Sequence, residues 1–392
     1  MRRSPKLHAW LMLVFILFGG IAGHVQAGPA DSIVLQQAER LPTDQVEQYW
    51  SSMMKDYAAY FPEGRTPSFK EMLVPGGSGF SFSNIFNGIF RFFFHEVLLN
   101  GRLLASIVIL SVFSMILESL QSAFQRNSVS KIGYSICYMV LIVIAINSFS
   151  VAIGYAKSAI STMINFMIAI VPILLTLLGS MGNITSVTVM HPLIVFMVNT
   201  MGAAIYYIVF PLLFFSVVLS IVSSISEKYK VTQLAKMLQK AGVVIMSVMV
   251  TVFLGVLSVQ GISGAVADGI GIRTAKYLTG NFVPVVGRLF SDASDTVIGA
   301  SLLVKNAIGL AGVVILIVLC AFPAVKILTM ALIYHVSAAV LQPLGDSPIV
   351  KTLGSIGKSM MYVFAALAAV GFLFFLAITI LITASNVSVM VR

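Results

Sequence analysis

Between residues 158 and 226 the chain contains no Asp, Glu, Lys or Arg. A helix that crosses a bilayer needs about 20 consecutive apolar residues, and this stretch is long enough for more than one. Other uncharged stretches cover 103–117, 132–156, 241–267, 306–325 and 359–391. Only 10% of the residues are charged and 58% are hydrophobic, with a mean hydropathy of +0.99. Soluble domains carry about a quarter charged residues, so this chain cannot build a water-facing surface around a core. The fold class is therefore all-α, a polytopic membrane protein. The stretches count to about seven mature spans, with a range of seven to nine.

The range arises from two long apolar blocks, near 189–224 and 308–341. Each is either one long helix or two short ones with a tight turn. Both contain a Phe-Pro pair, Phe210-Pro211 and Phe322-Pro323, and both lead into a basic connector. The connectors share Lys236-Met237-Leu238 and Lys351-Thr352-Leu353. This is the pattern of a weak internal repeat, a feature of many transporter folds.

Residues 1–27 combine basic Arg2, Arg3 and Lys6 with a short apolar run and then Val25-Gln26-Ala27. That is the layout of a secretory signal peptide with cleavage after Ala27, or of an uncleaved anchor. Residues 28–102 follow as an extracytoplasmic helical segment. It has a first helix capped at Thr43, a Ser68-Phe69-Lys70-Glu71 capping box, and a Phe-rich helix from Phe82. The Phe-rich helix either lies at the interface or forms the outer end of the first span. Residues 103–392 form the polytopic domain.

The net charge of +10 is spread over the connectors without a cluster. It fits orientation by the positive-inside rule and contact with lipid, not a nucleic-acid footprint. Cys137 and Cys320 sit singly in apolar stretches. There is no P-loop, no HExxH, no Gly-x-Ser-x-Gly and no Cys/His ligand set, so the sequence points to no enzyme, no metal and no cofactor. Gly354-Ser-Ile-Gly357-Lys358-Ser359 has the wrong spacing for a P-loop and no preceding strand.

The segment 261–306 departs from the membrane pattern. Asp268, Arg273, Lys276, Arg288, Asp292, Asp295 and Lys305 recur among apolar and small residues. Pro284 and Gly287 fall in a hinge at 281–287. Two amphipathic half-helices follow from this spacing, with Arg288 and Asp292 four residues apart. They either lie at the interface or re-enter the bilayer as a pore-lining or partner-docking element, since broken backbone at membrane depth needs protein or water beside it. Further polar groups within the spans are Glu118, Lys326 and His335. Glu118, Asn147, Asn165 and Asn199 are expected to bond between helices.

The central motif stands as Asp268-Gly-x-x-x-Arg273-Thr-Ala-Lys276, then Phe282-Val-Pro284-Val-Val-Gly287, Ser291-Asp292-Ala-x-Asp295-Thr-Val and Leu302-Leu-Val-Lys305-Asn-Ala-Ile-Gly309. With the signal, the small extracytoplasmic segment and the spans, it resembles the stage III sporulation protein AE family of endospore-forming bacteria over nearly the whole chain. The resemblance implies a permease-type component of the channel assembled between mother cell and forespore. It implies residence in the mother-cell membrane around the forespore. It also implies partners: a secretion-type ATPase, other membrane proteins and ring-forming proteins. An independent reading of the residues is an autonomous ion or small-solute transporter that uses Asp292, Asp295 and Lys305.

Overall fold

The computed structural model describes the backbone of residues 41–61, 82–123, 128–225, 231–282, 286–345 and 347–390. Side chains are described for these residues except 82, 121–123, 128–131, 225, 260–267, 269, 272–273, 275–282, 286–297 and 384–390. The expected signal at 1–27, the capping box at Ser68-Phe69-Lys70-Glu71 and Pro284 lie outside the described residues.

Every regular element among the described residues is helical. In chain order they are α1 (Asp44–Tyr57), α2 (Phe82–Leu99), α3 (Gly101–Ala123), α4 (Ser128–Ser180), α5 (Ile184–Ala204), α6 (Phe210–Ile225), α7 (Thr232–Phe282), α8 (Val286–Leu341) and α9 (Pro348–Met390). Six helical stretches among the described residues are long and apolar enough to cross a bilayer: Ser83–Leu120, Ile132–Ser180, Ile184–Ser224, Thr232–Val259, Ile298–Leu344 and Pro348–Thr383. The chain is a multi-pass, all-α membrane protein.

The count of six, against an expectation of about seven, has a local cause. The uncharged stretches 132–156 and 158–179 are one unbroken helix of 53 residues, α4. Lys157, the charge between them, lies over the ring of Tyr206 at 4.1 Å. A cation satisfied by an aromatic face gives the helix no reason to stop. At ~1.5 Å per residue α4 is about 80 Å long, more than twice the hydrocarbon thickness of about 30 Å.

Each of the two long blocks is a single helical path. In the first, α5 passes into α6 through a π-turn, Ile205–Val209. Pro211 has no N–H for the Tyr207 carbonyl, and the extra residue of the π-turn absorbs that defect. The second block is α8, which carries Pro323 in its interior. Both blocks then turn into a long antiparallel partner, α6 into α7 and α8 into α9.

Helices α8, α9 and α4 form the centre, where α8 packs most extensively on α9. Close approach along this seam relies on missing side chains. A Cβ at Gly371 would meet the Cys320 sulfur, and one at Gly312 would meet Ile170. Phe253 and Phe374 meet at 6.4 Å where α7 reaches α9. α2 continues into α3 through Asn100 and packs along α8, so the Phe-rich segment is part of the first apolar helical path.

α1 lies across α4 and α8. Its apolar face buries Val46, Trp50, Met53 and Met54. Tyr49 meets Phe166 edge-on at 5.9 Å, and Tyr57 stacks on Phe322 at 4.0 Å. Burial, with Asp56 and Glu96 nearby, pushes the Tyr57 hydroxyl up to about 12. Thr43 occupies the N-cap position as expected, but makes no side-chain cap bond.

Candidate functional site

The end of the bundle where α4, α5, α7, α8 and α9 meet is built around two charged residues. α4 stops at Ser180 because Gly182 takes a left-handed φ of 84°. The Gly182 and Asn183 amides then donate back to the Gly179 and Leu178 carbonyls at 2.9 and 3.3 Å. This Schellman pattern reverses the chain into α5. Asn183 stands at the α5 N-cap, yet its side chain does not cap the helix; its amide donates to the Leu178 carbonyl instead, at 3.3 Å.

The cap comes from α7. The Thr185 and Ser186 amides each donate to one carboxylate oxygen of Asp268, both at 2.9 Å. Asp268 is buried. Free amides and the positive end of the helix dipole make a helix N-terminus a natural seat for a carboxylate. Asp268 thus joins α7 to α5 through a charge-assisted, two-oxygen contact.

Lys305 lies on α8 with no solvent exposure. Its Nζ donates to the Ile382 carbonyl of α9 at 3.0 Å. Gly309, one turn along, leaves room for the Ile382 side chain to lie against α8. Close by, Ser180 donates to Ser301 at 3.3 Å, which ties the end of α4 to α8.

These two residues stand at the roots of a helical hairpin. Past Asp268, α7 continues to Phe282, about 21 Å at ~1.5 Å per residue. α8 starts at Val286, about 28 Å before Lys305 on the same rise. The backbone places Arg273 and Lys276 on the first arm, and Gly287, Arg288, Asp292 and Asp295 on the second. The expected hinge at 281–287 coincides with the end of α7 and the start of α8. The two half-helices are continuous with the spans that carry them, not separate elements.

The sequence model of the stage III sporulation protein AE family matches residues 66–385, a range that contains both roots and the whole hairpin. The chain belongs to that family. The stage III sporulation protein AE of Bacillus subtilis (strain 168) is 47% identical over 399 residues, covering 99% of this chain and all of the relative. No solved structure matches.

The other polar candidates of this family member lie elsewhere. Lys326, in the C-terminal half of α8, is 3.9 Å from Glu96 of α2 and 5.1 Å from the Tyr155 ring. A cavity of about 230 Å³ opens beside it, lined by residues of α1, α4 and α8 that include Asp56, Tyr57, Tyr155 and Ser158. His95, next to Glu96 in sequence, turns to the Tyr60 ring instead. His335 is exposed, with its ring against Gly357. Glu118 is half-buried on α3. Asn199 donates to the Val195 carbonyl of its own helix and not across to a neighbour, and Asn147 and Asn165 are exposed. No group of three or more His, Cys, Asp or Glu among the described residues is placed to hold a metal.

A set of hydroxyl contacts that the sequence spacing did not single out lies at the opposite end of the bundle. Tyr138 of α4 meets Ser224 of α6 at 2.7 Å and Thr352 of α9 at 2.9 Å. Thr352 and Ser224 meet at 2.8 Å. Ser220 and Ser355 meet at 2.9 Å, and the Ser216 hydroxyl donates to the Ala235 carbonyl at 2.7 Å. The signal was present as Ser216, Ser220 and Ser224 at four-residue spacing, which sets three hydroxyls on one helical face.

Proposed function

We propose that this chain is the membrane-embedded, permease-like component of a multiprotein channel or secretion complex between mother cell and forespore, required for spore development. It acts from the mother-cell membrane around the forespore. Its partners are the other membrane proteins and ring-forming proteins of that complex and a secretion-type ATPase, which supplies energy because the chain has no nucleotide motif. Full-length identity to a stage III sporulation protein carries the reading. The hairpin adds to it: two helical arms carry the charged motif residues and are tied to neighbouring helices by Asp268 and Lys305, which suits a mount for a partner. The alternative of a gradient-driven transporter would need Lys305 to exchange charge with a path, and its Nζ is buried against the Ile382 carbonyl.

The test is affinity purification of the tagged protein from sporulating cells, beside the double variant Asp292→Ala with Asp295→Ala. The wild type is expected to bring down an ATPase and ring-forming proteins. The double variant should insert normally yet fail to support spores. Recovery of the wild-type protein alone would sink the complex.

A further inference from the structure

The outer face of α4 over residues 158–180 is the reverse of what lipid selects. By sequence this stretch is uncharged and reads as a span, about 33 Å long at ~1.5 Å per residue. Yet its apolar residues point inward: Ile160, Met163, Phe166, Met167, Ile170 and Leu174 are all buried. Ser158, Ser161, Asn165, Pro172 and Thr176 are exposed, with Tyr155 just before them. Among the large apolar side chains here, only Ile168 is exposed. Pro172 also lacks the N–H that would satisfy the Ile168 carbonyl, so a backbone acceptor opens on the same face.

A second observation points the same way. α1 lies on α4 at this height, anchored by the Tyr49–Phe166 and Tyr57–Phe322 ring contacts. Its outward residues include Asp44, Gln48, Ser51, Lys55 and Asp56, all exposed. Charges that face hydrocarbon are disfavoured and mark water-filled paths. The other sides of the bundle differ at the same height. Phe372, next to the Gly371–Cys320 contact, is exposed, as are Val252, next to the Phe253–Phe374 contact, and Leu310, between Gly309 and Gly312. Those sides suit lipid.

We infer that the α4 face from Tyr155 to Thr176, with the outer face of α1, fronts water and forms one wall of an aqueous path for a hydrophilic solute. The inference rests on the channel-complex reading and names the surface that would do its work. The cavity beside Lys326 and Asp56 is the mouth of this wall. At its other end lie Ser180, Ser301 and the roots of the hairpin.

The test uses the full-length protein in membranes from sporulating cells, with Cys137→Ser and Cys320→Ala as background. Single cysteines replace Ser158, Ser161, Asn165 or Thr176, and Val252, Leu310 or Phe372 as same-height controls. The membranes are opened by sonication with a small charged methanethiosulfonate, so both faces meet the reagent. Cysteines on the α4 face should be labelled and the three controls should not. Unlabelled α4 positions would overturn the inference. So would labelling of the controls, because the segment would then lie outside the bilayer. Asn165→Leu should in addition lose spore formation at unchanged membrane levels, and full sporulation of that variant would count against the path. Failed α4 labelling with intact partner recovery removes the wall alone. Labelling with no partner recovered removes the complex and keeps the wall.

Discussion

Asp268 on α7 accepts the Ser186 amide at 2.9 Å and so caps a helix that is not its own. The second oxygen takes the Thr185 amide, and the residue at the cap position, Asn183, bonds elsewhere. The start of α5 and the base of the hairpin are therefore one mechanical unit.

Removing this cap should cost stability without changing the span pattern. Asp268→Ala leaves the buried Ser186 amide and the part-buried Thr185 amide without their acceptor, a loss of about 2 kcal/mol on capping and desolvation scales. Asp268→Asn keeps one good acceptor and should lie between the two. Thermal unfolding of detergent-solubilised protein by tryptophan fluorescence checks the order wild type, Asn, Ala. Equal melting of all three would mean that α5 does not depend on α7.

Lys305 calls for a different pair of variants. A buried ion replaced by an apolar side chain of similar length is often tolerated, whereas an uncompensated buried charge is not. Lys305→Met should accumulate in membranes to near wild-type level. Lys305→Glu should fail to accumulate, because its carboxylate would face the Ile382 carbonyl across the α8–α9 seam. Immunoblots of membrane fractions distinguish these outcomes. Normal levels of the Glu variant would show that the seam opens to water at this point.

How much of this was legible beforehand varies with how local the cause is. Most of the charge-free stretches coincide with helices apolar and long enough to span, and the hinge at 281–287 with the gap between α7 and α8, because both depend on neighbouring residues. Lys157 reads as an end to a span, yet a ring 49 positions away, Tyr206, makes it tolerable inside α4. Asp268 reads as a charge in need of a polar path, yet its partners lie 82 and 83 residues back. Asn199 reads as interhelical glue, yet it bonds its own helix. Polar residues in an apolar chain are placed by what they meet, and sequence spacing does not show the meeting.

The hydroxyl knot at the far end allows a coupling measurement. Tyr138→Phe and Thr352→Val each remove one member of a three-way contact with Ser224. Interhelical hydrogen bonds in membrane proteins average about 0.6 kcal/mol, with a maximum near ~1.7. Each single variant should fall in that range. The double variant should lose less than the sum, since the second change removes a bond already broken. Strict additivity in a double-mutant cycle would show that the hydroxyls do not act together.

The α8–α9 seam gives the sharpest steric prediction. A Cβ at Gly371 would press on the Cys320 side chain, and that sulfur is held at 3.8 Å from the Leu367 carbonyl. Overpacking of this kind typically costs about 1–3 kcal/mol. Gly371→Ala should therefore lower the melting temperature. Cys320→Ala alone removes one sulfur at a half-buried position and should cost little. In the double variant the new methyl takes the place of the lost sulfur and only the tight contact with the Cβ of position 320 is left, so part of the stability should return. The same unfolding assay reads all three chains. A double variant no better than Gly371→Ala would mean that the helices yield elsewhere along the seam, and that Cys320 does not set their separation.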